Sequence, residues 1–147
     1  MNTTPDLARV EGLGAPLRVA DLADLLGHAD IRLLPVHDLN TPRRADAYEH
    51  DNTTKDHVWL TTGGDVWPYA TPGTRDSMDF DHTTPYDPHG PSGQTGTHNS
   101  APLRRQHHRW KTHAGYTYKP TDDGQGYLWT TPHGLQARTD HTGTHRV

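Results

Sequence analysis

Apolar residues along the chain fall into short, separate groups, and each group predicts a different element. In "PLRVADLADLLGH", Leu17, Leu22, Leu25 and Leu26 lie near one helical stripe, which predicts a short helix that Gly27 can stop. "DIRLLPVHDL" reads as a strand bent or demoted to an edge by Pro35. The polar run "NTPRRADAYEHDNTTKD" carries no clear period and predicts a linker or a weak helix. In "SMDFDH", Met78 and Phe80 alternate with Asp79 and Asp81, the period of a half-buried strand.

The next stretch, "TTPYDPHGPSGQTGTH", predicts a long loop with a second short strand near its end. Asn99 or Ser100 can cap a helix that admits Pro102 in its first turn, runs to about His113 and ends at Gly115. "YTYKP", "GYLWTTP" and "LQARTD" predict short strands joined by turns at "TDDGQ" and "HG", with Trp129 in the core. The expected organisation is an appendage at 1–50, a linker at 51–64, a central module at 65–116, and short strands with a loose C-terminus at 117–147. The expected fold class is α+β.

Composition narrows this picture. Only 30% of the 147 residues are hydrophobic, with one Phe and two Met, so six Tyr and four Trp must carry much of the packing. The absence of cysteine excludes disulfides and thiolate zinc sites. No apolar run approaches the ~18 residues of a membrane span, and the start lacks a secretory pattern, so the expectation is a cytoplasmic chain with no membrane partner.

The net charge of -4 hides an asymmetry. Gly90 to Thr121 contains no Asp or Glu but holds Arg104, Arg105, Arg109, Lys111 and Lys119, whereas Asp76, Asp79, Asp81 and Asp87 lie just before it. Carboxylates can hold a cation while the basic part meets an anion.

Three Asp-His pairs occur, at Asp56-His57, Asp81-His82 and Asp140-His141, so the pair alone says little. The segment downstream of Asp81-His82 singles that pair out. A strand end is succeeded by a Gly-containing loop, by Asn99, and by a helix with "HHRWK". On that helix Leu103, His107, Trp110 and Ala114 form the core-facing stripe. Arg104, His108 and Lys111 form a polar, cationic one beside it.

In "MDFDHTTPYDPHGPSGQTGTHNSAPLRRQHHRWKTHAGY" the order Asp-His, Gly-containing loop, Asn, His-His-Arg-x-Lys resembles the HNH endonucleases. The resemblance spans about residues 65–116. It implies a ββα-metal module that hydrolyses DNA phosphodiester bonds to 5′-phosphate and 3′-hydroxyl ends, with a divalent ion drawn from Mg, Mn, Ni or Zn. By the resemblance, His82 is the general base and Asp81 and His108 are metal ligands. Asn99 orients His82 or its loop, and in some relatives also reaches the metal. Asp79 and His107 are candidates to support the ligands from behind. Arg104, Arg109 and Lys111 are candidates to meet the DNA backbone.

The chain departs from the family at several points. Thr112 stands where some relatives place a further histidine, with His113 one residue beyond, and Ser100 stands where Leu is usual. The cysteines of relatives with a structural zinc are absent, which leaves Trp67, Tyr69, Trp110 and Tyr116 to hold the module. "ARVEGLGAPLRVADLADLLGHADIRLLPVHDL" resembles the tail of a larger helical domain that precedes the module in one branch of the family. The competing readings are a catalytically inactive, truncated HNH remnant that binds DNA or metal, and a metal-sequestering protein using His28, His37, His57, His133 and His141. The scatter of those histidines disfavours the latter.

Overall fold

The computed structural model describes residues 7–8, 17–30, 37–71 and 73–147. These form two compact units, Met1–His37 and Asp38–Val147. In the first, β1 (Leu7–Ala8) pairs antiparallel with β2 (Leu17–Arg18), and α1 (Val19–Leu26) follows. The guanidinium of Arg18 grips Asp21 in the first turn of α1 through bonds of 2.8 and 3.0 Å. Most of the strand expected over residues 30–39, with Pro35, lies outside the described residues.

The second unit mixes α and β, as the sequence predicts. Its elements are β3 (Arg44–Ala45), α2 (Asn52–Thr62), β4 (Met78–Asp81), β5 (Thr95–Gly96), β6 (Ala101–Arg104), α3 (Arg105–His113), β7 (Thr117–Pro120), β8 (Gly126–Thr130), β9 (Gln136–Asp140) and β10 (Gly143–Arg146). β4 pairs antiparallel with β6, from Met78 opposite Arg104 to Asp81 opposite Ala101, and α3 leaves the end of β6 directly. β3 pairs with β5, and β7 to β10 form a four-stranded meander. Among the described residues no helix is long and apolar enough to cross a membrane.

Three expectations are corrected. The first concerns the start of the predicted helix. Residues 101–104 are strand β6, because Ala101, Pro102 and Leu103 are consecutively buried and the sheet encloses all three. An exposed helix turn would bury only some of them, and Pro102 fits opposite Phe80 without needing a donor. Second, the expected linker at 51–64 is largely α2. Asp51 caps it by accepting from the Thr54 backbone at 2.6 Å, Gly63 ends it in the left-handed region (φ 71°), and Thr54, His57 and Val58 are buried. Third, strands expected in 117–147 are present as β7, β8 and β9, but the C-terminus expected to be loose carries a further strand. This is β10, for which the sequence holds no clear strand signal.

Trp129 explains why the meander is tied to the rest of the unit. It is 1% exposed, its indole donates to the Val66 carbonyl at 2.8 Å, and it stacks on Tyr118 with centroids 4.3 Å apart. Thr139 donates to the same carbonyl, and Tyr127 donates to the Ser100 carbonyl. Val66, Ala101, Leu103, Tyr118 and Trp129 form one core against which Trp67, Tyr116 and Tyr127 pack. Burial of large aromatics offsets the shortage of aliphatic residues. Tyr69, expected to help hold the module, is instead 70% exposed with φ 59°.

Candidate active site

Strand alternation puts Asp79 and Asp81 on one face of β4, and α3 packs across it. His108 stands between the two carboxylates. Its Nδ1 is 3.1 Å from Asp79 Oδ2, and its Nε2 is 3.3 Å from Asp81 Oδ1. Asp79 Oδ2 also meets the Arg105 guanidinium at 3.0 Å. Almost one turn after His108, Lys111 Nζ lies 2.8 Å from Asp81 Oδ2 and donates to the His82 carbonyl at 3.4 Å. The Tyr118 hydroxyl donates to Asp81 Oδ2 at 2.9 Å. Burial, and then the neighbouring Asp81 carboxylate, push the Tyr118 hydroxyl far above its ordinary range, so it remains a donor. The two oxygens of Asp81 therefore have separate surroundings: Oδ2 meets the lysine and tyrosine, and Oδ1 faces His108.

His82 is buried beside this cluster, and its Nε2 is 2.8 Å from Thr95 Oγ1. The Thr95 hydroxyl donates to the Tyr48 carbonyl at 3.4 Å, so it accepts from His82. With the Thr95 hydroxyl turned to that carbonyl, His82 carries its proton on Nε2 and keeps the lone pair on Nδ1. Burial holds the His82 pKa below its ordinary value. Asp81 opposes the shift and Lys111 adds to it, so the ring is neutral at physiological pH.

The β3–β5 pairing delivers the rings around His82. Tyr48 stacks on it with centroids 5.5 Å apart, His50 approaches to 4.5 Å, and Tyr86 lies at 5.8 Å. Gly96 permits this crossing, because a Cβ there would sit 2.2 Å from the Arg43 carbonyl oxygen.

Asn99 has both ends of its amide engaged. Its oxygen accepts from Thr83 Oγ1 and the Thr84 backbone, each at 2.6 Å. Its nitrogen donates to the carbonyls of Thr84 at 3.0 Å and Gln94 at 2.9 Å. Asn99 thus fastens the segment that leaves His82 to the segment that returns to β6. The oxygen that could reach an ion is here taken by two short bonds, which fits the loop-orienting role.

The remaining expected residues are distributed differently. Arg104 belongs to β6, where its guanidinium donates to the Thr71 carbonyl at 3.1 Å and lies 4.0 Å from the buried Asp65 carboxylate. These contacts give it a structural role in the unit. Lys111 is drawn inward onto Asp81. Arg109 is exposed. His107 stacks on Trp67 and pairs with Asp65 at 2.6 Å, which makes it part of the packing. Asp79 is the residue that braces His108.

Sequence reasoning missed Tyr118, Thr95, Tyr48 and His50. The two-residue spacing of Tyr116 and Tyr118 in "YTYKP" could have marked one inward face, whereas His50 sits in a polar segment without a local signal.

Asp81 and His108 fit a divalent ion as two adjacent ligands. Ligand bonds of about 2.0–2.2 Å place neighbouring donors roughly 3.0–3.5 Å apart, and Asp81 Oδ1 to His108 Nε2 is 3.3 Å. The contact of His108 Nδ1 with Asp79 holds the ring with Nε2 toward Asp81 Oδ1, where it would be free to hold an ion, an arrangement common behind metal-bound histidines. Among the described residues, no group of three or more His, Asp or Glu side chains is arranged to hold an ion, so this edge would be completed by water or phosphate oxygens. No family model, curated protein or solved structure matches the chain.

Proposed function

We propose that this protein is a metal-dependent endonuclease that hydrolyses DNA phosphodiester bonds through a site resembling that of the HNH enzymes. The observation that carries the reading is the adjacency of two distinct functions at the end of β4. The Asp81–His108 edge suits a divalent cation, and the next residue, His82, is a buried neutral imidazole with its lone pair on Nδ1. His82 directly follows Asp81, the last residue of β4, so a base stands next to the ion's ligand, which suits attack on a phosphate held between the two.

In this reading His82 Nδ1 takes a proton from water as the water oxygen bonds to phosphorus. The bond from phosphorus to the 3′ oxygen breaks, and that oxygen collects a proton from solvent, leaving 5′-phosphate and 3′-hydroxyl ends. A divalent ion, when bound, supplies charge stabilisation for the phosphate and the departing oxygen. Lys111 and Tyr118 hold Asp81 by one oxygen, and Asn99 holds the loop that carries His82. Arg105 and Arg109, one turn apart on exposed positions of α3, suit the DNA backbone, a contact that positions the duplex without reading its sequence. The test is nicking of supercoiled plasmid by the full chain with Mg, Mn, Ni or Zn, and its loss with EDTA.

A further inference from the structure

We propose that His50 is a second catalytic histidine, which holds the attacking water jointly with His82. The inference rests on the nuclease reading of the site and adds to it a residue outside the HNH-like stretch. The ring of His50 is 6% exposed and lies 4.5 Å from the ring of His82, tilted by 41°. Its Nε2 is buried and has no hydrogen-bond partner among the described residues.

An unsatisfied buried imidazole nitrogen is costly, and a packing role alone would be filled better by an apolar ring. The position of the ring explains why a polar one stands there. In the proposal one water joins the unpartnered Nε2 of His50 to a nitrogen of the adjacent His82 ring. His82 Nε2 is committed to Thr95, so its Nδ1 is the atom that would share the water. Burial, and then the proximity of His82, lower His50 to about 4, so its ring is neutral under working conditions and does not repel a proton arriving on His82. Tyr48 stacks on His82 from the same segment. The proton still goes to His82. His50 fixes the water oxygen so that its lone pair points at phosphorus, a gain in orientation and not in basicity.

The test compares the full-length wild type with His50→Phe and His50→Gln, measuring thermal midpoint, metal affinity, and kcat and KM on a DNA duplex. Phe keeps the ring and removes the orphan nitrogen. Gln keeps a polar atom that can hold water. The proposal expects His50→Phe to match or exceed the wild-type thermal midpoint, to keep metal affinity and KM, and to lose about tenfold or more in kcat. It expects His50→Gln to recover part of that loss. Wild-type kcat in His50→Phe would overturn the proposal. Equal kcat losses in both variants, in step with lowered thermal midpoints, would overturn it as well, because they mark a packing role. If the folded wild type cleaves nothing while His82 and His108 are intact, the nuclease reading itself falls, and this inference with it.

Discussion

Tyr118 donates its phenolic proton to Oδ2 of Asp81 across 2.9 Å, from a ring stacked on Trp129. The contact joins the C-terminal meander to the candidate metal edge, and it gives that meander a purpose beyond packing. Tyr118→Phe keeps the stack and removes only the donor. We expect the fold to survive and divalent-ion affinity to fall by roughly tenfold or more, the usual scale for a group that braces a ligand. Calorimetric titration with Mn against the wild type checks this, and unchanged affinity would show that Lys111 alone suffices to hold Asp81.

Part of the pH dependence of stability arises from His50 and His82, whose neutral forms burial favours. His50 is lowered from 6.5 to about 4, and His82 is lowered in the same direction. The unfolded chain therefore binds more protons than the folded one in this range. The His50 contribution is fully present above pH 6.5 and declines as pH falls towards about 4, and His82 acts in the same direction. Asp123, held down to about 2 first by its Thr121 hydrogen bond, adds a separate loss between its ordinary 3.8 and that value. Urea midpoints measured across the acid range should fall in the first window, and His50→Phe should flatten that fall.

Ser100 is 1% exposed, and its hydroxyl has no partner among the described residues. Ser100→Ala removes an unsatisfied polar group without opening a large cavity. We expect stability to rise by about 1 kcal/mol, read from chemical denaturation. A fall in stability would mean that the hydroxyl is hydrogen-bonded to water in solution.

The arginines of the basic stretch divide by role. Arg109→Ala should weaken DNA binding and lower the salt dependence of affinity by about one unit of slope, with little change in stability. Arg104 is tied to Thr71 and lies near Asp65, so Arg104→Ala should instead lower the thermal midpoint. Binding isotherms at several salt concentrations, paired with melting curves, separate the two outcomes.

These contrasts show how much the sequence could reveal. The alternation in "SMDFDH" marked β4 because its period is local, and Asp79 and Asp81 fell on one face as that period requires. His108 and Lys111 were legible as one stripe, since i and i+3 are neighbours on any helix. That Lys111 turns inward to Asp81 depends on how α3 crosses β4, which no local pattern encodes. Pro102 misled because a residue without a donor fits a helix's first turn and a strand paired on one side equally well. In α2 the Asp51 cap and the Gly63 stop were present in the sequence, but the polar run between them hid a helix that buries Thr54 and His57 with Val58. His50 reaches His82 only through the pairing of β3 with β5, a contact between segments about 50 residues apart.

The most direct test of the central claim is cleavage of supercoiled plasmid by the purified, folded chain, beside His82→Ala and His108→Ala. The account predicts cleavage that requires added Mg, Mn, Ni or Zn, stops with EDTA, and is lost in both variants, with metal binding weakened by His108→Ala and kept by His82→Ala. No cleavage with any of the four metals, or undiminished cleavage by His82→Ala, would contradict it.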